Sequence, residues 1–181
     1  MNGNICQSFP NLQCLILSAF RFGSLMTFLE YLNDLPELCQ LKIVSLYERN
    51  INSESLLVLL KRIFTVNNNR LQSISIDDDS LCFPYENNDS LIIVNYSHIV
   101  DLVIELETQN DLHRLLTDLS QLKSIDVAIN DQGSILNDER YSIPILNLQY
   151  FRLRSFVHQW NLDEFVLLVK RIPNVRELTF E

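Results

Sequence analysis

The sequence predicts an α/β solenoid. It is one curved parallel sheet of about seven strands with helices on its convex side, built by residues 1–181 as a single domain. Three observations predict it. A short apolar unit recurs along the chain in one phase, and the periodicity between its copies is helical. The composition, 47% hydrophobic and 20% charged, is that of a chain with a packed core.

The unit reads apolar-x-x-apolar-x-apolar. Its copies are Leu12/Leu15/Leu17, Leu38/Leu41/Ile43, Leu71/Ile74/Ile76, Ile99/Leu102/Ile104, Leu122/Ile125/Val127, Leu148/Phe151/Leu153 and Val175/Leu178/Phe180. First positions 12, 38, 71, 99, 122, 148 and 175 give steps of 26, 33, 28, 23, 26 and 27. Three residues before the unit stands another apolar residue (Phe9, Leu35, Tyr96, Leu119, Ile145 and Ile172), with Asn68 as the exception. Pro follows it in Phe9-Pro10-Asn11-Leu12, Leu35-Pro36-Glu37-Leu38 and Ile172-Pro173-Asn174-Val175, where it stops a helix and sets up an extended strand. Within a unit the fourth and sixth residues lie one pleat apart and point to the same side of a strand. Neither that side nor the helix facing it can be buried without neighbouring units.

Between units, Leu25, Phe28, Leu29 and Leu32 share one helical face, as do Leu112, Leu115, Leu116 and Leu119. LLVLLKRI at residues 56–63 is echoed by FVLLVKRI at residues 165–172. Asn161 with Glu164 forms a capping-box start, and Asn110 or Asp111 and Ser53 are the expected caps of the helices that follow them. Strand–helix–strand steps of this length give parallel strands. Two polar excursions, residues 77–90 and 130–141, read as loops or irregular convex segments.

These units resemble leucine-rich repeats of the helix-containing, ribonuclease-inhibitor-like class, from Phe9 to Glu181. More distantly they resemble the repeat regions found behind F-box domains in ubiquitin-ligase substrate receptors. The resemblance implies a non-catalytic protein-interaction module, with substrate recognition as its F-box version. The alternative is a purely structural repeat segment of a larger protein. The family pattern places Asn or Cys five residues after the second apolar position, where this chain has Phe20, Leu46, Asp79, Glu107, Asn130 and Phe156. Asn130 alone conforms, so the turns must satisfy their backbone in another way. No polar cap is visible at either end, which predicts an uncapped fragment of a longer solenoid and end-to-end self-association through its edges.

The formal net charge of −9 disfavours nucleic acid, and the longest basic runs are the pairs Lys61-Arg62 and Lys170-Arg171. Three glycines leave no phosphate-binding loop. The four cysteines lack ligand spacing, and residues 12–20 are apolar but interrupted by Gln13 and Ser18. No secretory signal is read, and a cytoplasmic or nuclear setting is expected. The acceptor patterns at Asn88 and Asn95 matter only in a secreted chain. No run reaches the roughly 18 apolar residues of a membrane span. Asp77-Asp78-Asp79 with Glu86 lacks EF-hand spacing, and His98, His113 and His158 fall in different units. The chain is therefore read as no enzyme, with no metal and no cofactor.

Residues at the third, fifth and seventh places of each unit should face the open side of the sheet. There the sequence points to Tyr150, Arg152 and Arg154, with Asp101 and Asp126, as a partner-binding surface for a protein or peptide. Arg152 is expected beside Asp126, and Arg154 beside Glu181 or diagonal to Glu177. Phe156 and Trp160 form a second, apolar patch.

Overall fold

The computed structural model describes residues 8–47, 51–77, 81–84, 96–131, 144–155 and 162–181; of residues 131 and 162–164 only the backbone is described. Among the described residues the architecture is α/β: a single sheet of seven parallel strands with four α-helices. The strands are β1 (Cys14–Leu17), β2 (Gln40–Ile43), β3 (Ser73–Ile76), β4 (Asp101–Thr108), β5 (Ser124–Asp131), β6 (Tyr150–Ser155) and β7 (Glu177–Phe180). The helices are α1 (Phe22–Tyr31), α2 (Ser53–Asn69), α3 (Gln109–Asp118) and α4 (Leu162–Arg171). The strands lie side by side in chain order, and all neighbouring pairs are parallel.

The register follows the apolar unit. Leu15, Leu41, Ile74, Leu102, Ile125, Phe151 and Leu178 form one row across the sheet. One main-chain hydrogen-bond motif fixes each junction. The carbonyl after a unit's first residue accepts two N–H groups from the next unit, as in Gln13 O with Cys39 and Gln40 N, and Lys123 O with Gln149 and Tyr150 N. The turn before the strand closes on the apolar residue three positions back, through Leu38 N to Leu35 O, Ile99 N to Tyr96 O and Leu122 N to Leu119 O. The sequence exception, Asn68, is resolved by its neighbour. Asn67 is fully buried, donates from Nδ2 to Leu38 O at 2.6 Å, and takes Asn33 Oδ1 on its own N–H at 2.7 Å. Regular helix ends at Thr65, Val66 is already extended (ψ 155°), and Asn67, Asn68 and Asn69 all have positive φ, a conformation Asn tolerates better than most residues.

One face of the sheet is buried. Leu41, Ile43, Ile74, Ile76, Leu102, Ile104, Ile125, Val127, Phe151 and Leu153 join the same cluster as Leu25, Leu29, Leu59, Ile63, Leu112 and Leu116 of the helices. Burying each such side chain stabilises the fold by about 1.5–3 kcal/mol. The expected helical stripes are present: Leu25, Leu29, Leu32, Leu112, Leu115, Leu116 and Leu119 are buried, while Phe28 is partly buried against Phe20.

Three local expectations are corrected. The cap of α2 is Asn52 rather than Ser53; its side chain accepts from Ser55 N at 2.8 Å. The cap of α3 is Thr108, not Asn110 or Asp111, because the chain is still extended at Thr108 (φ −133°). Asp111 instead forms the reciprocal half of that capping box. Asn130 and Asp131, assigned by sequence to the second excursion, lie in β5. In the first excursion the described residues 81–84 are irregular, as expected, yet Leu81 and Phe83 are buried and Phe83 bridges Leu106 in parallel. The cap at Asn161 and the patch of Phe156 and Trp160 lie outside the described residues, as do Asp78, Asp79, Glu86 and His158.

Candidate functional site

Strand alternation places the remaining strand side chains on the open face. Its first row runs Cys14, Gln40, Ser73, Asp101, Ser124, Tyr150, Glu177, and its second runs Ile16, Lys42, Ser75, Val103, Asp126, Arg152, Thr179. The third row is closed at its middle, where Glu105 is 8% and Ala128 1% exposed. Beside Glu105 sits Cys82, whose thiol is pushed up to about 12 by burial first and by Glu105 second, while Asn130 hydrogen-bonds it. This gives Asn130, which lies in β5 rather than in a turn, a contact with the chain at Cys82.

All five residues selected from sequence lie on this face, in two groupings. Arg152, Arg154 and Asp126 form an ion cluster that also includes Glu181. Arg152 places Nη1 at 3.4 Å from Asp126 Oδ2, and Nη2 at 2.9 Å from both carboxylate oxygens of Glu181. Arg154 donates from Nε to Asp126 Oδ1 at 2.9 Å. The expected lateral pair of Arg152 with Asp126 is present. The expected pairing of Arg154 with Glu181 or Glu177 is not what forms. Arg154 reaches back along the diagonal to Asp126, and Arg152 reaches forward to Glu181. Asp126 thereby serves two guanidiniums, with its side chain 25% exposed beside Arg154 at 28%. Hydrogen bonding to Glu181, then the charges of Asp126 and Glu181, raise the Arg152 guanidinium above its ordinary value, so it stays charged at any working pH.

Tyr150 and Asp101 stand in the other row, on opposite sides of Ser124. With strands about 4.8 Å apart, they are roughly 10 Å from each other, a span a bound segment can bridge. Tyr150 is 46% exposed and Asp101 is also exposed. At the other end of the sheet, Lys42 meets Asp77 at 3.0 Å and Ile16 is 62% exposed. The face therefore carries an apolar end at β1 and a tyrosine–arginine end at β6, with polar strands between.

Elsewhere, the polar groups are turned to structural use. His98 lies with Nε2 2.9 Å from Phe64 O, and burial lowers its pKa. His113 is buried, with Nδ1 2.8 Å from Arg171 Nη1. A guanidinium only donates, so Nδ1 accepts and the ring is neutral. Burial first, and Arg171 second, push His113 down to about 4. Among the described residues no group of three or more His, Cys, Asp or Glu is placed to hold a metal ion. A groove of about 480 Å³ on the helix side is lined by Leu29, Val58, Lys61 and Tyr96, and Arg62 within it is already bonded to Glu30 at 2.6 Å. Among the described residues no helix is long and apolar enough to cross a membrane.

At Phe20 and Leu46, where the sequence resemblance leads one to expect asparagine, other groups serve. Ala19, at φ 60°, donates its N–H to Ser45 Oγ at 3.2 Å, and Phe20 and Leu46 pair as a parallel bridge. Comparison with known proteins finds no matching family, no matching curated protein and no matching solved structure.

Proposed function

We propose that the chain is a leucine-rich-repeat solenoid that acts as a non-catalytic interaction module, binding a protein or peptide across its open sheet face. The observation that carries this reading is the placement of Tyr150, Asp101 and the Arg152–Arg154–Asp126 cluster on one accessible face. Tyrosine and arginine anchor protein interfaces because each offers a large, partly rigid surface together with a polar group. The sequential parallel sheet and its repeated junction motif support the repeat reading. A cytoplasmic or nuclear setting accompanies it, on the reading of the cysteines as reduced thiols. The substrate-receptor version rests on the sequence resemblance and predicts ubiquitin-ligase subunits among the captured proteins.

The test is capture from cell lysate followed by mass spectrometry, with wild type, Tyr150→Ala and the double variant Arg152→Glu/Arg154→Glu. Ion pairs that water reaches, as here where every partner is at least 25% exposed, contribute about 0–1 kcal/mol, so both variants should stay folded by circular dichroism. Loss of the same captured proteins from both variants is expected, and unchanged capture would overturn the assignment. A second reading, a repeat segment with no binding of its own, is favoured by the internal use of both arginines on Asp126 and Glu181. It predicts a lower melting temperature for the double variant and no specific capture by wild type.

A further inference from the structure

On the open face the cations are taken up by acids of the chain itself. Lys42 is held by Asp77, and Arg152 and Arg154 by Asp126 and Glu181. One acid of the inner strands has no such counterpart. Asp101 on β4 is exposed, and its neighbours in the row are Ser73 and Ser124. Among the described residues its carboxylate takes no hydrogen bond and no ion pair. One strand beyond Ser124 stands Tyr150, 46% exposed, its hydroxyl likewise without a partner among the described residues. Asp101, Ser124 and Tyr150 thus outline a notch about 10 Å across, with an acid and an aromatic ring as walls and the short Ser124 as floor.

A basic side chain satisfies both walls. Its charge pairs with the carboxylate, and a cation within about 6 Å of a tyrosine ring is attracted by the ring face. An acidic side chain would meet Asp101 as a like charge, and would find both arginines already balanced by Asp126 and Glu181. Arg154 bonds Asp126 through Nε alone, which leaves its terminal nitrogens to donate to main-chain carbonyls of the same bound segment. The formal net charge of −9 draws a basic partner toward the chain. We infer that the open face takes a basic segment of a partner protein, with one lysine or arginine seated between Asp101 and Tyr150. This rests on the reading of that face as a binding surface, and it names the chemistry of the occupant.

The probe is a series of immobilised pools of short peptides, each pool with one amino acid fixed at the centre and the other positions random. Pools fixed as lysine or arginine should retain the labelled chain most strongly. Asp101→Asn should weaken that retention roughly five- to tenfold, the contribution of one charge-assisted bond open to water, and Tyr150→Ala should weaken it as well. Glu37→Gln, in the turn before β2, makes the same change in net charge away from the face and should leave retention unaltered. All three replaced side chains are exposed, so circular dichroism should not change. Equal weakening by Asp101→Asn and Glu37→Gln would reduce the effect to net charge and overturn the inference. So would strongest retention by pools fixed as aspartate or glutamate, retention without preference, or retention of no pool. The binding-surface reading is judged separately. If lysate capture depends on Tyr150 while the pools favour acids, the face binds and this occupant is wrong. If wild type captures nothing specific and no pool is retained, both fall.

Discussion

Arg171 carries a charge into the interior, where it is 3% exposed and is held by His113 Nδ1 and by Thr117 Oγ1 at 3.2 Å. The echo of its motif, Arg62, reaches Glu30 on the preceding helix in the open. The consequence is a pH dependence of defined sign. His113 sits at about 4 in the fold against an ordinary 6.5. Between those values only the unfolded chain takes up the proton, so the stabilisation is complete above pH 6.5 and is lost as pH falls to 4. The loss is on the order of 3 kcal/mol. Urea unfolding at pH 7, 5.5 and 4 should show wild type losing stability faster than His113→Gln over this range; parallel curves would refute it. Cys82 gives a second test at this scale. With its thiol at about 12 and partly buried, it should resist alkylation at pH 8 while exposed Cys14 reacts, as peptide mapping after iodoacetamide would show. Ile125, 1% exposed in the middle of the sheet, sets a third. Ile125→Asp buries an unpaired charge at a cost of several kcal/mol against a total of about 5–15 kcal/mol, and should unfold the chain by circular dichroism.

At the scale of elements, the helix starts are separable contributions. Asn52→Ala and Thr108→Ala should each lower stability by about 1 kcal/mol in denaturant titrations. Thr108 should cost the more, because its Oγ1 both accepts from Asp111 N–H and donates to the buried Asp111 carboxylate at 2.6 Å, and alanine removes both bonds. The strands and their register were legible in the sequence because a period of two within the unit leaves a single phase that buries Leu41, Ile74 and Ile125 together. The caps were legible only to within a residue. Asn52 and Ser53 both have a capping oxygen, and the extended backbone just before the helix, which residue type does not record, decides between them. Phe83 was hidden because the short apolar run at residues 81–85, set between polar residues, has neither the spacing of the unit nor a helical period. The five site residues shared a face as alternation required. The lateral pair of Arg152 with Asp126 was legible too, but the diagonal pairs escaped the reading because a long guanidinium reaches the diagonal neighbour as readily as the lateral one, and here the half-buried Asp126 draws both arginines.

Across the whole molecule, pairing is unequal. β4 and β5 share seven paired positions, whereas β1 with β2 and β6 with β7 share four each. Amide exchange should therefore be slowest in β4 and β5 and fastest in β1 and β7, with local opening beginning at the ends; uniform protection would argue for all-or-none unfolding instead. The junction motif has one more consequence. The same pair of hydrogen bonds joins units whose spacing ranges from 23 to 33 residues, so strand placement does not depend on how much chain lies between strands. Among the described residues, variation in length leaves the two accessible rows of the open face in place. In engineering terms the chain is a carrier: a hydrophilic loop grafted between two strands should lengthen the molecule's outline while leaving the arrangement of Tyr150, Arg152 and Asp126 unchanged.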